Sequence, residues 1–94
     1  MSDFDPDVNE GFDPSGRPCL YLDVSVLEPP EPFKQIVRAL ASLRIGHSLH
    51  VVHRREPFPL YQQLPELGYE YQTVQHNDGL YHIYIWHRLH EDKD

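Results

Sequence analysis

Two proline-rich stretches decide the fold: Leu27-Glu28-Pro29-Pro30-Glu31-Pro32 and Arg55-Glu56-Pro57-Phe58-Pro59. Proline is tolerated in the first turn of a helix, because its missing N–H would have no partner there. The acids Glu28 and Glu31 also suit the positive end of a helix dipole. Each stretch therefore predicts the start of a helix, and we call the two stretches the proline-led segments.

Apolar residues recur every three or four positions after each segment, as on the buried stripe of a helix. Gly46 and Gly68 are predicted to end the two helices, since glycine is common just beyond a helix end. Pro65 removes a backbone hydrogen bond and is expected to shorten or kink the last turn of the second helix. The stripe residues are Phe33, Ile36, Val37, Leu40 and Leu43 in the first helix and Leu60, Leu64 and Leu67 in the second.

Alternation of apolar and polar residues predicts four strands outside the helices. The first two begin near Cys19 and near residue 49, and the last two span residues 69–75 and 80–88. Asn77-Asp78-Gly79 predicts a hairpin between the last two strands, and the first two, joined by a helix, should run parallel. The predicted fold is an α/β (α+β) two-layer sandwich of order βαβαββ, with both helices on one face of a four-stranded mixed sheet.

Composition limits the domain and its partners. Residues 1–18 are rich in Asp, Gly, Pro and Ser and are predicted to form a flexible acidic tail, followed by the domain at 19–90 and a disordered tail at 91–94. The net charge of −7 lies mostly in these tails, so neither a nucleic acid nor a membrane is an expected partner. A single cysteine and the lack of a long apolar run favour the cytoplasm.

The first proline-led segment resembles a motif of the TusA-like sulfur carriers. In that family a strand ending in Leu-Asp leads to Cys-Pro-x-Pro at the first helix. Leu22-Asp23, Pro30 and Pro32 match this pattern, whereas Pro29 stands at the position of the cysteine. The resemblance implies the SirA/TusA-like fold without the thiol that carries sulfur in that family.

A closer resemblance is to domain-of-unknown-function family 2249, a SirA-like relative. Its members look like Leu-Glu-Pro-Pro-Glu-Pro followed by a basic residue and Glu-Pro-x-Pro-Leu-Tyr. This chain has both segments, at residues 27–32 and 55–61, and the resemblance covers about residues 20–88. Members of the family have no settled activity, so the resemblance implies a fold and not a function.

Both helices are expected to begin at the same edge of the sheet, where the TusA-like family places its working cysteine. Guanidinium groups and free N–H groups at a helix start suit a phosphate, a carboxylate or the acidic residue of a partner. The alternative is a structural set of ion pairs within the chain. The candidate binding residues at this edge are Glu28, Glu31, Arg54, Arg55 and Glu56.

The sheet face away from the helices is a second candidate. If Leu20, Leu22, Leu49, Val51, Ile83 and Ile85 face the helices, then Tyr21, Val52, His82, Tyr84 and Trp86 face away. That surface is more apolar than a monomer usually exposes. It suits an interface through Tyr84 and Trp86, or a cover formed by Phe4 or Phe12. The alternative is a packing with Trp86 turned inward.

The histidines suggest a metal site only across strands. His47, His50 and His53 are three apart, and on a strand such residues point to opposite faces. In SirA-like folds the second and fourth strands are neighbours, so His50 and His82 are the candidate metal ligands, with Asp23 as a further donor. The alternative is a set of solvated or hydrogen-bonded histidines.

Three functions follow from these features. The first is a non-enzymatic binding or adaptor module for a protein partner or a second copy of the chain; a small anionic ligand also fits, and no cofactor is expected. The second is a metal- or redox-linked domain in nitrogen-oxide or metal metabolism, because relatives occur alongside hemerythrin-like or cupin domains. The third is sulfur relay through Cys19, whose alternative role is that of a small, partly buried apolar residue. His53, Glu56 and Ser25 form no recognisable catalytic arrangement.

Overall fold

The computed structural model describes residues 11–88, which form a mixed five-stranded sheet and two helices. The elements are β1 (Gly11–Phe12), β2 (Pro18–Asp23), α1 (Glu31–Ala41), β3 (Ser48–His53), α2 (Phe58–Gln63), β4 (Tyr69–Gln75) and β5 (Tyr81–His87). The sheet order is β1-β2-β3-β5-β4. As predicted, β2 and β3 are parallel and β4 and β5 are antiparallel. The pairs β1–β2 and β3–β5 are also antiparallel.

The additional strand, β1, lies in the stretch predicted to be tail. Gly11 and Phe12 pair with Cys19 and Pro18 at the edge of the sheet. The sheet therefore has five strands rather than four, and the βαβαββ order describes its core. Residues 1–10 and 89–94 lie outside the described part of the chain, so the tail predictions made for them stay predictions.

A buried carboxylate holds the turn between β1 and β2. Oδ1 of Asp13 accepts hydrogen bonds from the backbone N–H groups of Ser15 and Arg17, at 2.9 and 2.8 Å. Oδ2 accepts one from the Arg17 guanidinium at 3.0 Å. Burial opposes the charged form, but the hydrogen bonds from Arg17 and its positive charge outweigh it and lower the pKa of Asp13.

Both helices begin at the predicted segments, but both end before the predicted glycines. α1 ends at Ala41 rather than at Gly46, and α2 ends at Gln63, before its apolar stripe does. Turns replace the helix from Leu64 to Gly68, because Pro65 has no N–H for a helical hydrogen bond. Leu67 is 57% exposed and Val37 is 39% exposed, so assigning them to the buried stripe was wrong. No helix within residues 11–88 is both long and apolar enough to span a membrane.

The core lies between the helices and one face of the sheet. Cross-strand register places Leu49 opposite Ile85 and Val51 opposite Ile83. Apolar side chains from both helices pack on this face: Ile36, Leu40 and Leu43 from α1 and its following turn, and Leu60 and Leu64 from α2 and its end. Full burial of a side chain of this size contributes about 1.5–3 kcal/mol, so this layer fixes both helices on one face, as predicted.

Candidate functional site

A groove of about 270 Å³ lies where the two proline-led segments meet. Both helices start at this edge of the sheet, as predicted from the connection of β2 to α1 and β3 to α2. Ile36 and Leu60 are buried at its floor, and Phe33 lines it. Its other apolar lining comes from prolines of both segments: Pro29, Pro30, Pro32, Pro57 and Pro59.

Two adjacent arginines have different roles at this edge. Arg54 pairs with Glu28, its Nη2 lying 3.6 Å from Glu28 Oε2, and both side chains are exposed. Arg55 lines the groove, and no carboxylate of residues 11–88 lies within 4.0 Å of its guanidinium. Glu31 faces Lys34 along α1 at 3.8 Å. Of the five candidates at this edge, only Arg55 and Glu56 line the groove.

Glu56 is positioned by a tyrosine of α2. The Tyr61 hydroxyl donates to Glu56 Oε2 at 3.2 Å and is also bonded to the Thr73 hydroxyl on β4. The Tyr61 ring stacks on Tyr71 at 4.4 Å between centroids. Burial, reinforced by the Glu56 carboxylate, raises the pKa of Tyr61 to about 12. The hydroxyl therefore stays protonated, and Glu56 is a fixed hydrogen-bond acceptor at the groove.

His53 also lines the groove, although the sequence suggested no binding role for it. Its Nδ1 accepts a hydrogen bond from the Arg55 backbone N–H at 3.1 Å, which places the proton of the neutral ring on Nε2. Burial, together with the charges of Arg54 and Arg55, lowers the pKa of His53. The available signal was its position at the end of a strand, directly before the second proline-led segment.

The opposite face of the sheet carries aromatic and polar side chains. Tyr21, His50 and Tyr84 form one row across β2, β3 and β5. The His50 ring stacks on Tyr84 at 4.5 Å and meets the edge of Tyr21 at 5.2 Å. Val52 and His82 are only 1% and 8% exposed, so their assignment to an exposed apolar surface was wrong.

Trp86 lies on this face and is half-buried by contacts with the chain itself. The Arg17 guanidinium lies 4.4 Å from the ring centroid, and Trp86 Nε1 donates to Glu70 Oε1 at 3.0 Å. The turn after β1 therefore provides the cover. Phe12 is 74% exposed and does not provide it, and Phe4 lies outside the described residues.

His50 and His82 meet across the strands, as predicted. His50 Nε2 lies 2.9 Å from His82 Nδ1, and His82 Nε2 lies 3.1 Å from Asp78 Oδ2. His76 stacks on His82, with 3.8 Å between ring centroids. Burial first, and then the charges of His82 and His76, lower the pKa of His50 to about 4.

The sequence did not predict the role of Asp78, which was considered only as a turn residue. Asp23, offered as a further donor, instead accepts hydrogen bonds from the N–H and hydroxyl of Ser25. No group of three His, Cys, Asp or Glu side chains within residues 11–88 is placed to hold a metal ion. The histidine pair with Asp78 is therefore the nearest approach to a metal site in this part of the chain.

A family model described as "Uncharacterized conserved protein (DUF2249)" matches residues 21–87. The chain belongs to the DUF2249 family. The match includes both proline-led segments and both histidines of the pair. Searches of curated proteins and of solved structures each found no match to the chain.

In this DUF2249 domain Cys19 lacks the properties of a reactive thiol. Cys19 is buried at the start of β2, whereas the groove lies beyond the other end of that strand. Burial, with a smaller contribution from the charge of Asp13, raises the pKa of the thiol. Sulfur carriers need an accessible thiol with a lowered pKa, so both observations disfavour sulfur relay through Cys19.

Proposed function

We propose that this DUF2249 domain is a non-enzymatic binding module whose groove receives a short acidic segment of a protein partner. The segment presents an apolar side chain next to a carboxylate. The observation that carries the proposal is the position of Arg55, which lines an apolar groove and has no carboxylate within 4.0 Å among residues 11–88. A carboxylate of a partner would form an ion pair with the Arg55 guanidinium.

The apolar lining supplies the other half of recognition. Removing apolar surface from water contributes about 25 cal/mol per Å², and the groove of about 270 Å³ has room for a side chain. Its wall is formed mainly by prolines, whose ring fixes φ. The wall therefore loses little conformational freedom when a ligand enters, which favours affinity.

Glu56 favours a peptide over a bare anion. Its carboxylate is fixed by Tyr61 next to Arg55, where it would repel a second negative charge that lacks a donor of its own. A peptide brings backbone N–H groups that donate to a carboxylate while its acidic side chain meets Arg55. This combination supports a protein segment as the occupant.

The SirA/TusA-like resemblance supports the same location, since those carriers place their working cysteine at this edge. A cytoplasmic location stays a prediction from composition. A small anionic ligand is an alternative that the following experiment separates from the proposed occupant. A second copy of the chain is a further alternative.

The experiment is an NMR titration of ¹⁵N-labelled protein with the capped peptide acetyl-Leu-Asp-Leu-amide. We expect saturable shifts of the amide signals of Phe33, His53 and Arg55. The matched acetyl-Leu-Asn-Leu-amide should bind about tenfold more weakly, because a hydrogen bond to a charged group contributes about 1.5–3 kcal/mol.

Three results would overturn the proposal. Equal binding of the Asp and Asn peptides would remove the role of the carboxylate. Shifts confined to the opposite face of the sheet would move the site. Binding of N-acetyl-leucine as tight as that of the Asp peptide would identify a small carboxylate, and not a protein segment, as the ligand.

A further inference from the structure

A second site lies on the face of the sheet opposite the groove and does not depend on the proposed function. We infer that His50 Nε2 and His82 Nδ1 are two adjacent ligands of a transition-metal ion, of which Cu²⁺ is expected to bind most tightly. Asp78 supports the pair from behind as a positioning residue.

The separation of the two nitrogen atoms is the first observation. They lie 2.9 Å apart. This is the length of the hydrogen bond that joins them when no ion is present. Two imidazole nitrogens about 2.0–2.1 Å from one ion and at a right angle to each other are also separated by about 2.9 Å, so the two rings are already close enough to share an ion. Imidazole is a ligand of Cu²⁺, Ni²⁺ and Zn²⁺, and Cu²⁺ binds the most tightly of the three.

The orientation of His82 is the second observation. Its Nε2 lies 3.1 Å from Asp78 Oδ2, so the ring donates that proton to the carboxylate and keeps a lone pair on Nδ1. Histidine ligands of metals almost always donate their other ring N–H to a carboxylate, a carbonyl or water. Asp78 therefore directs the lone pair of His82 toward His50.

The placement of His50 is the third observation. The antiparallel pairing of β3 and β5 sets Tyr84 opposite His50 and His82 opposite Val52. Tyr84 and Tyr21 contact the His50 ring on its face and edge. The ladder and the two tyrosines hold the His50 ring next to His82 before any ion arrives, which lowers the conformational cost of bringing the two ligands together.

Without an ion, the same atoms form a hydrogen bond in which His50 Nε2–H donates to His82 Nδ1. Metal binding moves the His50 proton from Nε2 to Nδ1, and no net proton leaves the ring. The pair then supplies two ligands, since residues 11–88 offer no group of three. Water occupies the remaining positions, which makes this an open site rather than a closed structural one.

The experiment uses the full chain, stripped of metal with a chelator, and Cu²⁺ with glycine as a competing ligand. We expect one Cu²⁺ per chain and an electron paramagnetic resonance spectrum with hyperfine structure from two imidazole nitrogens. His50→Gln and His82→Gln should weaken binding at least about tenfold. Asp78→Asn should weaken it about 10-fold to 100-fold, the usual effect of losing a supporting carboxylate.

His53→Gln is the matched control, because that histidine lies at the groove and should leave Cu²⁺ binding unchanged. Circular dichroism establishes that each variant is folded. Asp78, whose side chain is 46% exposed, keeps the test decisive if His82→Gln does not fold. If His50→Gln and Asp78→Asn bind Cu²⁺ as the unmodified chain does, or if the spectrum contains one imidazole nitrogen, the pair is only a hydrogen bond and the inference fails.

Discussion

The groove and the histidine pair lie on opposite faces of one sheet and satisfy their polar groups in different ways. At the groove, prolines supply walls without N–H groups, and Arg55 has no carboxylate partner among residues 11–88. On the other face, Asp78, His82 and His50 form a continuous hydrogen-bonded chain. The groove therefore gains an interaction when a ligand enters, whereas the histidine pair must give up its hydrogen bond to bind one.

The difference arises from the backbone that builds each region. The groove is formed by segments between strands and helices, where proline fixes the chain without hydrogen bonds. The histidine pair stands on two adjacent strands, whose ladder sets side chains at fixed distances across the sheet. The groove therefore stays open to a ligand, whereas the two histidines are held in place by the pairing of their strands.

Shortening a side chain at the floor of the groove should have the largest effect on the free energy of unfolding. Ile36 is fully buried, so Ile36→Ala should lower the free energy of unfolding by about 2–5 kcal/mol. Leu67→Ala, at an exposed residue, is the matched control and should change it by less than about 0.5 kcal/mol. Urea unfolding measures both, and similar losses in the two variants would contradict the assigned core.

A substitution at Asp13 tests the turn between β1 and β2, which places Arg17 over the sheet face opposite the groove. Asp13→Asn should cost about 1–3 kcal/mol, because it weakens three hydrogen bonds to a buried carboxylate. The lowered pKa of Asp13 means that its contribution is present above the pKa of the unfolded chain and is lost as pH falls through the lower, folded value.

The measurement is urea unfolding of both proteins between pH 7 and pH 2. The difference between them should be constant at neutral pH and shrink below about pH 4, where aspartate in an unfolded chain takes up its proton. A difference that grows on acidification would contradict the assigned role of the carboxylate.

A substitution at Trp86 tests the contacts that partly cover the sheet face opposite the groove. Trp86→Phe removes the hydrogen bond to Glu70 and weakens the stacking of Arg17 on the ring. A cation–π contact at a partly exposed site contributes about 0.5–1 kcal/mol, so we expect a loss of about that size in thermal unfolding. Light scattering should give the same molecular mass for both proteins, and a changed mass would revive an interface through Trp86.

The smallest effect is expected from the ion pair outside the groove. Glu28→Gln removes the contact with Arg54 between two exposed side chains, and such pairs contribute about 0–1 kcal/mol. We expect less than about 0.5 kcal/mol in urea unfolding. A loss above about 2 kcal/mol would place this pair inside the structural framework of the edge.

Much of the fold could be predicted because its signals are local. Both helix starts, the strand alternation and the Asp78-Gly79 hairpin are each encoded within a few residues. The strand at Gly11–Phe12 could not be predicted, because two residues are too few to show an alternating pattern and their pairing depends on β2. Pro65 was expected to shorten the second helix, and α2 does end before it, at Gln63.

The position of the groove could be predicted, and the contacts around it could not. The meeting of two proline-led segments follows from the order of strands and helices. Which arginine pairs with Glu28 depends on side-chain positions in the folded chain, as does the contact between Asp78 and His82. Spacing of histidines along one strand gave no positive signal, because the pair forms across two strands.

We propose that Arg55, and not its neighbour Arg54, receives the carboxylate of the partner. Isothermal titration with acetyl-Leu-Asp-Leu-amide compares Arg55→Gln with Arg54→Gln, adjacent substitutions that remove the same charge. We expect about tenfold weaker binding for Arg55→Gln, equivalent to about 1.4 kcal/mol, and less than about twofold for Arg54→Gln. Equal effects of the two substitutions, or a larger effect of Arg54→Gln, would contradict this role of Arg55.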